Sequence, residues 1–276
     1  MAISVSSDTS VGRRAVVAAS FGNAMEWYDF SVYAFFATYI ANNFFHENDP
    51  TTALINTFIV FGAGFVARPL GAVLIGMYGD RVGRKAALML SIATIGLGTL
   101  VIAMAPPMVF IGIAAPLLLL VGRLFQGFSA GGEIGGAAAF MIEHAPKGRQ
   151  GLYSSWLQAS MGISNLISAV VGFTITSVFP ASTVNEWAWR IPFILGLLIV
   201  PVGFYIRHKL PETGDFESRR AQSTGGRNPL VQLFAKHPRW LITAFLFSVM
   251  WTVCVYAFVI YLPTYYQSAA VGLRFT

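Results

Sequence analysis

Residues 61–85 read FGAGFVARPLGAVLIGMYGDRVGRK. Up to Tyr78 only Arg68 interrupts the apolar run, and about 20 mainly apolar residues are enough to cross a bilayer core about 30 Å thick. The seven residues that follow, Gly79–Lys85, hold two glycines and the charged Asp80, Arg81, Arg84 and Lys85. Such a string is too charged and too short to continue either neighbouring helix. Gly79 and Gly83 permit a tight turn, and Asp80 can sit where a helix N-terminus favours negative charge. A membrane helix that ends in a charged turn predicts a second helix behind it.

The same alternation extends along the whole chain. Apolar stretches of spanning length occur at 15–42, 53–78, 86–105, 111–142, 152–179, 187–206 and 240–266, seven in all. No charge lies between Lys85 and Arg123, and Pro106-Pro107 breaks that run into two helices. Composition agrees: of 276 residues 55% are hydrophobic and 11% charged, with a mean hydropathy of +0.64, whereas a soluble domain carries about a quarter charged residues. The expected fold class is an all-α membrane protein, a six-helix bundle followed by a seventh transmembrane helix.

The net charge of +6 is unevenly placed. Arg13 and Arg14; Arg81, Arg84 and Lys85; Lys147 and Arg149; and the basic stretch from Arg207 to Arg239 fall in alternate loops. The loops near 43–52, 106–110 and 180–186 contain no Arg or Lys. The positive-inside rule then puts the N-terminus in the cytoplasm and, after seven spans, the C-terminus outside, with Trp187, Trp189 and Trp240 as interfacial anchors. The first stretch keeps Glu26 and Asp29 and has no small-residue cleavage site, so it reads as a retained helix and not a signal peptide. Three regions follow: a six-helix bundle at 1–206, a cytoplasmic basic loop at 207–239, and a seventh helix with the start of a second bundle at 240–276.

Other function classes find little support. A lone Cys254 makes neither a disulfide framework nor a zinc site. His46, His144, His208 and His237 fall near loops or helix ends and read as interfacial polar residues. There is no nucleophile and base constellation and no basic run for nucleic acid. The expectation is no enzyme, no metal, no cofactor and no nucleic-acid partner.

Chemistry is expected where ionisable residues enter the spans, since each costs at least about 2.5 kcal/mol at the bilayer centre unless paired or hydrated. These residues are Glu26, Asp29, Arg68, Arg123 and Glu133. Glu26 and Asp29 share a helix face at i and i+3, near the membrane midplane. Two close carboxylates in low dielectric do not both stay ionised cheaply, which suits a proton carrier; a static pair with Arg68 or Arg123 is the other reading. Arg123 and Gln126 lie on one side of the fourth helix, where a guanidinium can hold a substrate carboxylate bidentately or balance Glu26 or Asp29. Gly127, Gly131 and Gly135 form a small-residue ladder for close helix approach. Glu133 either extends a proton path or pairs with Arg68, and Arg68 reads as a structural or gating pair. Gln158 and Asn165 on the fifth helix complete the expected substrate lining.

GDRVGRK resembles the loop motif between helices two and three of the major facilitator superfamily, and EHAPKGR, from Glu143 to Arg149, resembles the acidic and basic pair between its helices four and five. More narrowly, residues 21–45 (FGNAMEWYDFSVYAFFATYIANNFF), 61–85 and 122–146 (GRLFQGFSAGGEIGGAAAFMIEHAP) resemble the metabolite:proton symporter family. The runs FATYIA, GRLFQGFSAG and EWAWRIPF are most similar to its citrate and tricarballylate carriers. The resemblance implies two six-helix bundles with the substrate between them, a gating role for the Gly79–Lys85 motif with Glu143 and Arg149, and proton-coupled symport of a di- or tricarboxylate across the inner membrane. Its partners would be a proton, a small carboxylate, the lipid bilayer and a missing C-terminal half, because 276 residues hold one bundle plus a helix and read as a fragment. A proline or betaine symporter and a non-transporting membrane interaction module are the alternatives.

Overall fold

The computed structural model describes residues 9–45, 49–146, 148–208, 234 and 236–254, all as helices and short connections, with no strand among them. The chain divides into two units, Met1–Ala221 and Gln222–Thr276. The described helices of the first unit are α1 (Thr9–Phe35), α2 (Ala37–Phe44), α3 (Pro50–Val82), α4 (Arg84–Met104), α5 (Met108–Ile111), α6 (Ala114–His144), α7 (Gln150–Val178), α8 (Ala181–Glu186) and, after a 3-10 turn at Ala188–Arg190, α9 (Ile191–His208). The second unit contributes α10 (Pro238–Cys254).

Among the described residues, five helical stretches are long and apolar enough to cross a membrane: α3, α4, α6, α7 and Ala188–His208. The protein is therefore a multi-pass membrane protein. The first expected span, 15–42, is divided between α1 and α2, and α1 carries Arg13, Arg14, Glu26 and Asp29. The seventh, 240–266, is described only as far as Cys254. Residues 255–276, 209–233 and Lys147, on which parts of the loop and tail expectations fall, lie outside the described residues.

Local chemistry sets the helix ends. Asp49 opens α3 by accepting from the backbone N–H of Thr51 at 3.2 Å and Thr52 at 3.1 Å, and Pro50 fills the first turn, where no N–H partner is needed. At the other end of α3 the expected loop shrinks to one residue. Asp80–Val82 stay in the last turn of α3, Arg84 and Lys85 begin α4, and Gly83 alone separates the helices at φ 135°. A residue with a Cβ is strained at that φ, so glycine reverses the chain where a longer polar turn was expected.

Glycines also decide which helices touch. A Cβ on Gly127 would collide with the carbonyl of Gly64, and one on Gly131 with the carbonyl of Arg68, so α3 and α6 meet backbone to backbone. Gly135, the third rung of the expected ladder, has nothing within 4 Å of a built Cβ and takes no part. α1 and α7 are joined by polar side chains instead. Asn23 donates to Leu157 O (2.8 Å) and to the Ser160 hydroxyl (2.9 Å), while Ser164 and Ser168 donate to the carbonyls of Ala24 and Tyr28.

The end of the bundle that carries Pro106 is closed by an apolar cluster including Phe36, Ile40, Phe44, Ile102, Leu119, Trp189 and Phe193. Trp189 is fully buried there, edge-on to Phe44 and Phe193, and so is no interfacial anchor; Trp187 is exposed. Trp189 lies in the 3-10 turn Ala188–Arg190 that joins α8 to α9, and its ring is taken up by this apolar cluster.

Candidate substrate and proton site

α1 brings Gly22, Glu26 and Asp29 into the interior of the bundle, where Gly22 meets Arg207 of α9 and Glu133 of α6, Glu26 meets Arg68 of α3, and Asp29 meets Thr99 of α4 and Gln126 of α6.

Asp29, in the last two turns of α1, faces α4 and α6. The Thr99 hydroxyl of α4 donates to Asp29 Oδ2, and the Gln126 amide of α6 donates to the same oxygen at 3.1 Å and to Thr99 Oγ1 at 2.9 Å. Arg123, one turn before Gln126, donates to Gln126 Oε1 at 2.7 Å. The chain Arg123–Gln126–Asp29 places one amide between cation and anion. Among the described residues no carboxylate lies within ion-pair distance of Arg123, so the expected pair with Glu26 or Asp29 is not formed. Arg123 is fully buried, its Nε and Nη2 have no hydrogen-bond partner, and its guanidinium lies 3.4 Å from the centre of the Tyr33 ring and 5.1 Å from that of Phe61. A buried cation with unused donors is costly and ready for an anion.

Glu26 faces α3. It pairs with Arg68 through one contact, Nη2 to Oε1 at 3.2 Å, leaving Glu26 Oε2 and Arg68 Nε without partners. Arg68 also lies over the rings of Phe30 (4.5 Å) and Phe65 (4.6 Å). Glu26 and Asp29 lie only about 60° apart around α1, yet each carboxylate has its own partners, Arg68 of α3 for Glu26 and Thr99 and Gln126 of α4 and α6 for Asp29.

Glu133 does not pair with Arg68. It is held by Arg207, whose Nη1 donates to Oε2 at 3.0 Å and whose Nη2 donates to Oε1, and the Ser91 hydroxyl donates to it as well. Arg207, placed by the sequence at the start of the basic loop, is the penultimate residue of α9 and fully buried. It further donates to the carbonyls of Leu88 and Ala18. Gly22 makes room for this pair, since a Cβ there would collide with Arg207 and Glu133.

At the Gly83 end of the bundle, Arg84 bonds Asp80 at 3.0 Å and reaches Glu143 at 3.9 Å, joining the α3–α4 turn to the end of α6. Lys85 donates to the carbonyl of His208, capping α9. Gly79 is buried with a built Cβ 2.9 Å from Ala87, while Arg81 and Arg149 are exposed, Arg149 at the N-cap of α7. Gln158 and Asn165 are exposed on α7, outside the Asp29 cluster; Asn165 accepts from Ser31 at 2.7 Å.

Sequence reasoning missed Thr99, Ser91, Phe30, Tyr33 and Arg207. Uncharged hydroxyls and aromatic rings carry no signal in an apolar span. Arg207 did carry one: it directly follows an apolar helix, where a long side chain can fold back inside.

The family model described as "Sugar (and other) transporter" matches residues 15–232. The citrate-proton symporter of Klebsiella pneumoniae is 40% identical over 253 residues, covering 91% of this chain and 56% of that protein. The alpha-ketoglutarate permease of Escherichia coli (strain K12) is 38% identical over 265 residues, covering 96% and 60%. The chain thus spans little more than half the length of these relatives. Among solved structures, the major facilitator superfamily proton:xylose symporter XylE, bound to 6-bromo-6-deoxy-D-glucose, superposes with a TM-score of 0.71 at 17% identity, over 78% of this chain and 48% of that one.

Proposed function

Because the chain belongs to the sugar (and other) transporter family and its bundle has the major facilitator fold, we propose that it is the N-terminal half of a proton-coupled symporter for a small di- or tricarboxylate, working in the inner membrane with its N-terminus in the cytoplasm. The observation that carries the reading is the chain Arg123–Gln126–Asp29. A buried guanidinium keeps two donors free, and a buried carboxylate beside it is held only by neutral groups. A substrate carboxylate can take the free edge of Arg123 as a two-point acceptor. Asp29, without a direct counter-charge, is the site where a proton is taken up and released. Gln126 ties the two, since its amide bonds both and any change in one is felt by the other. The relatives named for citrate-proton symport and for alpha-ketoglutarate support the same substrate class.

Glu26 with Arg68 is a second proton-binding candidate. Glu133 belongs to a saturated ion pair and is assigned here to holding α6 against α9. The motif Gly79, Asp80, Arg81, Gly83, Arg84 and Lys85, with Glu143 and Arg149, forms the cytoplasmic gate region. Gln158 and Asn165 lie on the α7 face that a second bundle would cover.

The test is uptake of labelled citrate, 2-oxoglutarate, proline and betaine by cells expressing the chain together with the C-terminal half of the Klebsiella symporter as a second polypeptide. We expect accumulation of the carboxylates driven by a proton gradient, lost in Asp29→Asn, which keeps exchange, and lost in Arg123→Gln. Arg123→Lys should weaken binding, because the charge stays but the fork does not. Accumulation of betaine that ignores Arg123→Gln would replace the substrate class.

A further inference from the structure

The half-buried Arg68, paired with Glu26, and the buried Arg123, next to Asp29, lie against one aromatic ring. Phe30 is 5% exposed, and its ring centre lies 4.5 Å from the Arg68 guanidinium carbon and 5.6 Å from that of Arg123. The two cations can be no further apart than the sum of those distances. Phe61 and Phe65 continue the same aromatic bed, each 5.5 Å from Phe30.

Ring faces satisfy the flat face of a guanidinium but leave its N–H edge to find acceptors. At Arg207 that edge is filled: both Glu133 oxygens, Ser91 and two backbone carbonyls take it up. At Arg68 it is not. One contact to Glu26 is made, Arg68 Nε and Glu26 Oε2 are left over, and Arg68 is the more accessible partner, 21% exposed against 1% for Glu26. One bundle thus builds a saturated pair where it needs an anchor, and an unsaturated one on the aromatic bed it shares with Arg123.

We propose that Arg68, packed with Arg123 on the Phe30 ring, is a second carboxylate anchor, and that Arg68 exchanges Glu26 for a carboxylate of the substrate. The inference rests on the transport reading above and narrows its substrate to molecules with two carboxylates on a short carbon skeleton, one held by Arg123 and one by Arg68. The exchange balances in charge. As the substrate carboxylate replaces Glu26 on Arg68, the Glu26 carboxylate loses its counter-charge and takes up one proton from water to become the neutral acid, which a dry site favours. Binding of the second carboxylate and protonation of Glu26 then promote each other, by linkage. The other groups around Glu26 leave this role to Arg68. Glu133 of α6 acts on Glu26 but is already neutralised by Arg207 of α9, Asp29 on α1 is held by Thr99 of α4 and Gln126, and α7 meets this part of α1 with Ser160 and Ser164.

The test is calorimetric titration of the purified full chain in detergent with citrate, glutarate and butyrate, alongside proton uptake read by a pH-indicator dye in weak buffer. We expect citrate and glutarate to bind at least about tenfold more tightly than butyrate, the value of one further charged hydrogen-bonded contact, with about one proton taken up per molecule bound by Glu26. Arg68→Gln should remove the preference for two carboxylates. Glu26→Gln, which frees Arg68, should instead tighten citrate binding and abolish proton uptake. A merely structural pair predicts that both substitutions weaken all three probes alike, and that result overturns the proposal. Dependence on Arg123 with indifference to Arg68 also overturns it while leaving the transport reading intact. No binding of any probe, by the chain or by Glu26→Gln, counts against the transport reading itself.

Discussion

Arg207 and Glu133 show how much one buried pair holds in place. The guanidinium touches α1, α4 and α6 from the last turn of α9, at the carbonyls of Ala18 and Leu88, the hydroxyl of Ser91 and both oxygens of Glu133. Removing one member leaves an uncompensated buried charge, which costs about 3–5 kcal/mol, whereas removing both charges is close to neutral. Arg207→Gln should therefore lower the thermal stability of the detergent-solubilised chain sharply, and Arg207→Gln combined with Glu133→Gln should recover most of it. If the double variant is as unstable as the sum of the single ones, the pair is not the unit described. Asp49 gives a second residue-scale prediction, outside the spans. Its hydrogen bonds from Thr52 and Thr51 hold its carboxyl below the usual carboxylate value. A group depressed on folding contributes stability above its unfolded value and loses it as the pH falls through the folded value. Protection of the Thr51 and Thr52 amides from exchange, taken relative to the intrinsic rate at each pH, should be present at neutral pH and lost in acid, and Asp49→Ala should abolish it at neutral pH.

At the scale of elements, helix contacts fall into two kinds. α3 and α6 meet through glycine backbones, and α1 and α7 through serine and asparagine hydrogen bonds to backbone carbonyls. The first kind tolerates no added atoms. Gly127→Val and Gly131→Val should prevent the two helices from closing, and folded protein should disappear from the monodisperse peak in size-exclusion chromatography. Gly135→Ala meets open space and relieves a helical glycine, so it should be neutral or stabilising by up to about 1 kcal/mol. A disruptive Gly135→Ala would mean that the third rung of the ladder is occupied after all. The second kind is softer: each hydrogen bond between membrane helices is worth on average about 0.6 kcal/mol, so Ser164→Ala should be nearly silent and Asn23→Ala, which removes two, more visible in the same thermal scans.

For the whole molecule, two expectations follow from charge and from architecture. The Arg and Lys asymmetry places reporter fusions after Asn48 and Glu186 outside and after Gly83 and Gly225 inside; a fusion on the opposite side would reverse the topology. The family architecture puts the substrate between two bundles that rock against each other. The 276 residues expressed by themselves should accordingly bind but not accumulate carboxylates, and uptake should return when a second bundle is supplied as a separate chain. Robust accumulation by these residues alone would point to two copies completing one cavity.

The sequence by itself was sufficient for the all-α membrane class and the family, and it singled out Glu26, Asp29, Arg68, Arg123 and Glu133 as the ionisable residues inside the apolar stretches, because apolar length and the rarity of charge in a bilayer are properties of the chain alone. It could not assign partners. Which carboxylate meets which guanidinium depends on how far α1 rotates against α3 and α6, and that is set by contacts between residues distant in sequence: Gly127 on Gly64, Gly22 on Arg207, Ser164 on Ala24. Glu133 pairs across 74 residues with an arginine that charge patterning assigns to water. Gly83 shortens a loop that composition makes look long, since a backbone angle is invisible in composition. Only the tertiary structure decided that Arg123 stands next to Asp29 without bonding it, and that Phe30 gathers Arg68 and Arg123 on one ring.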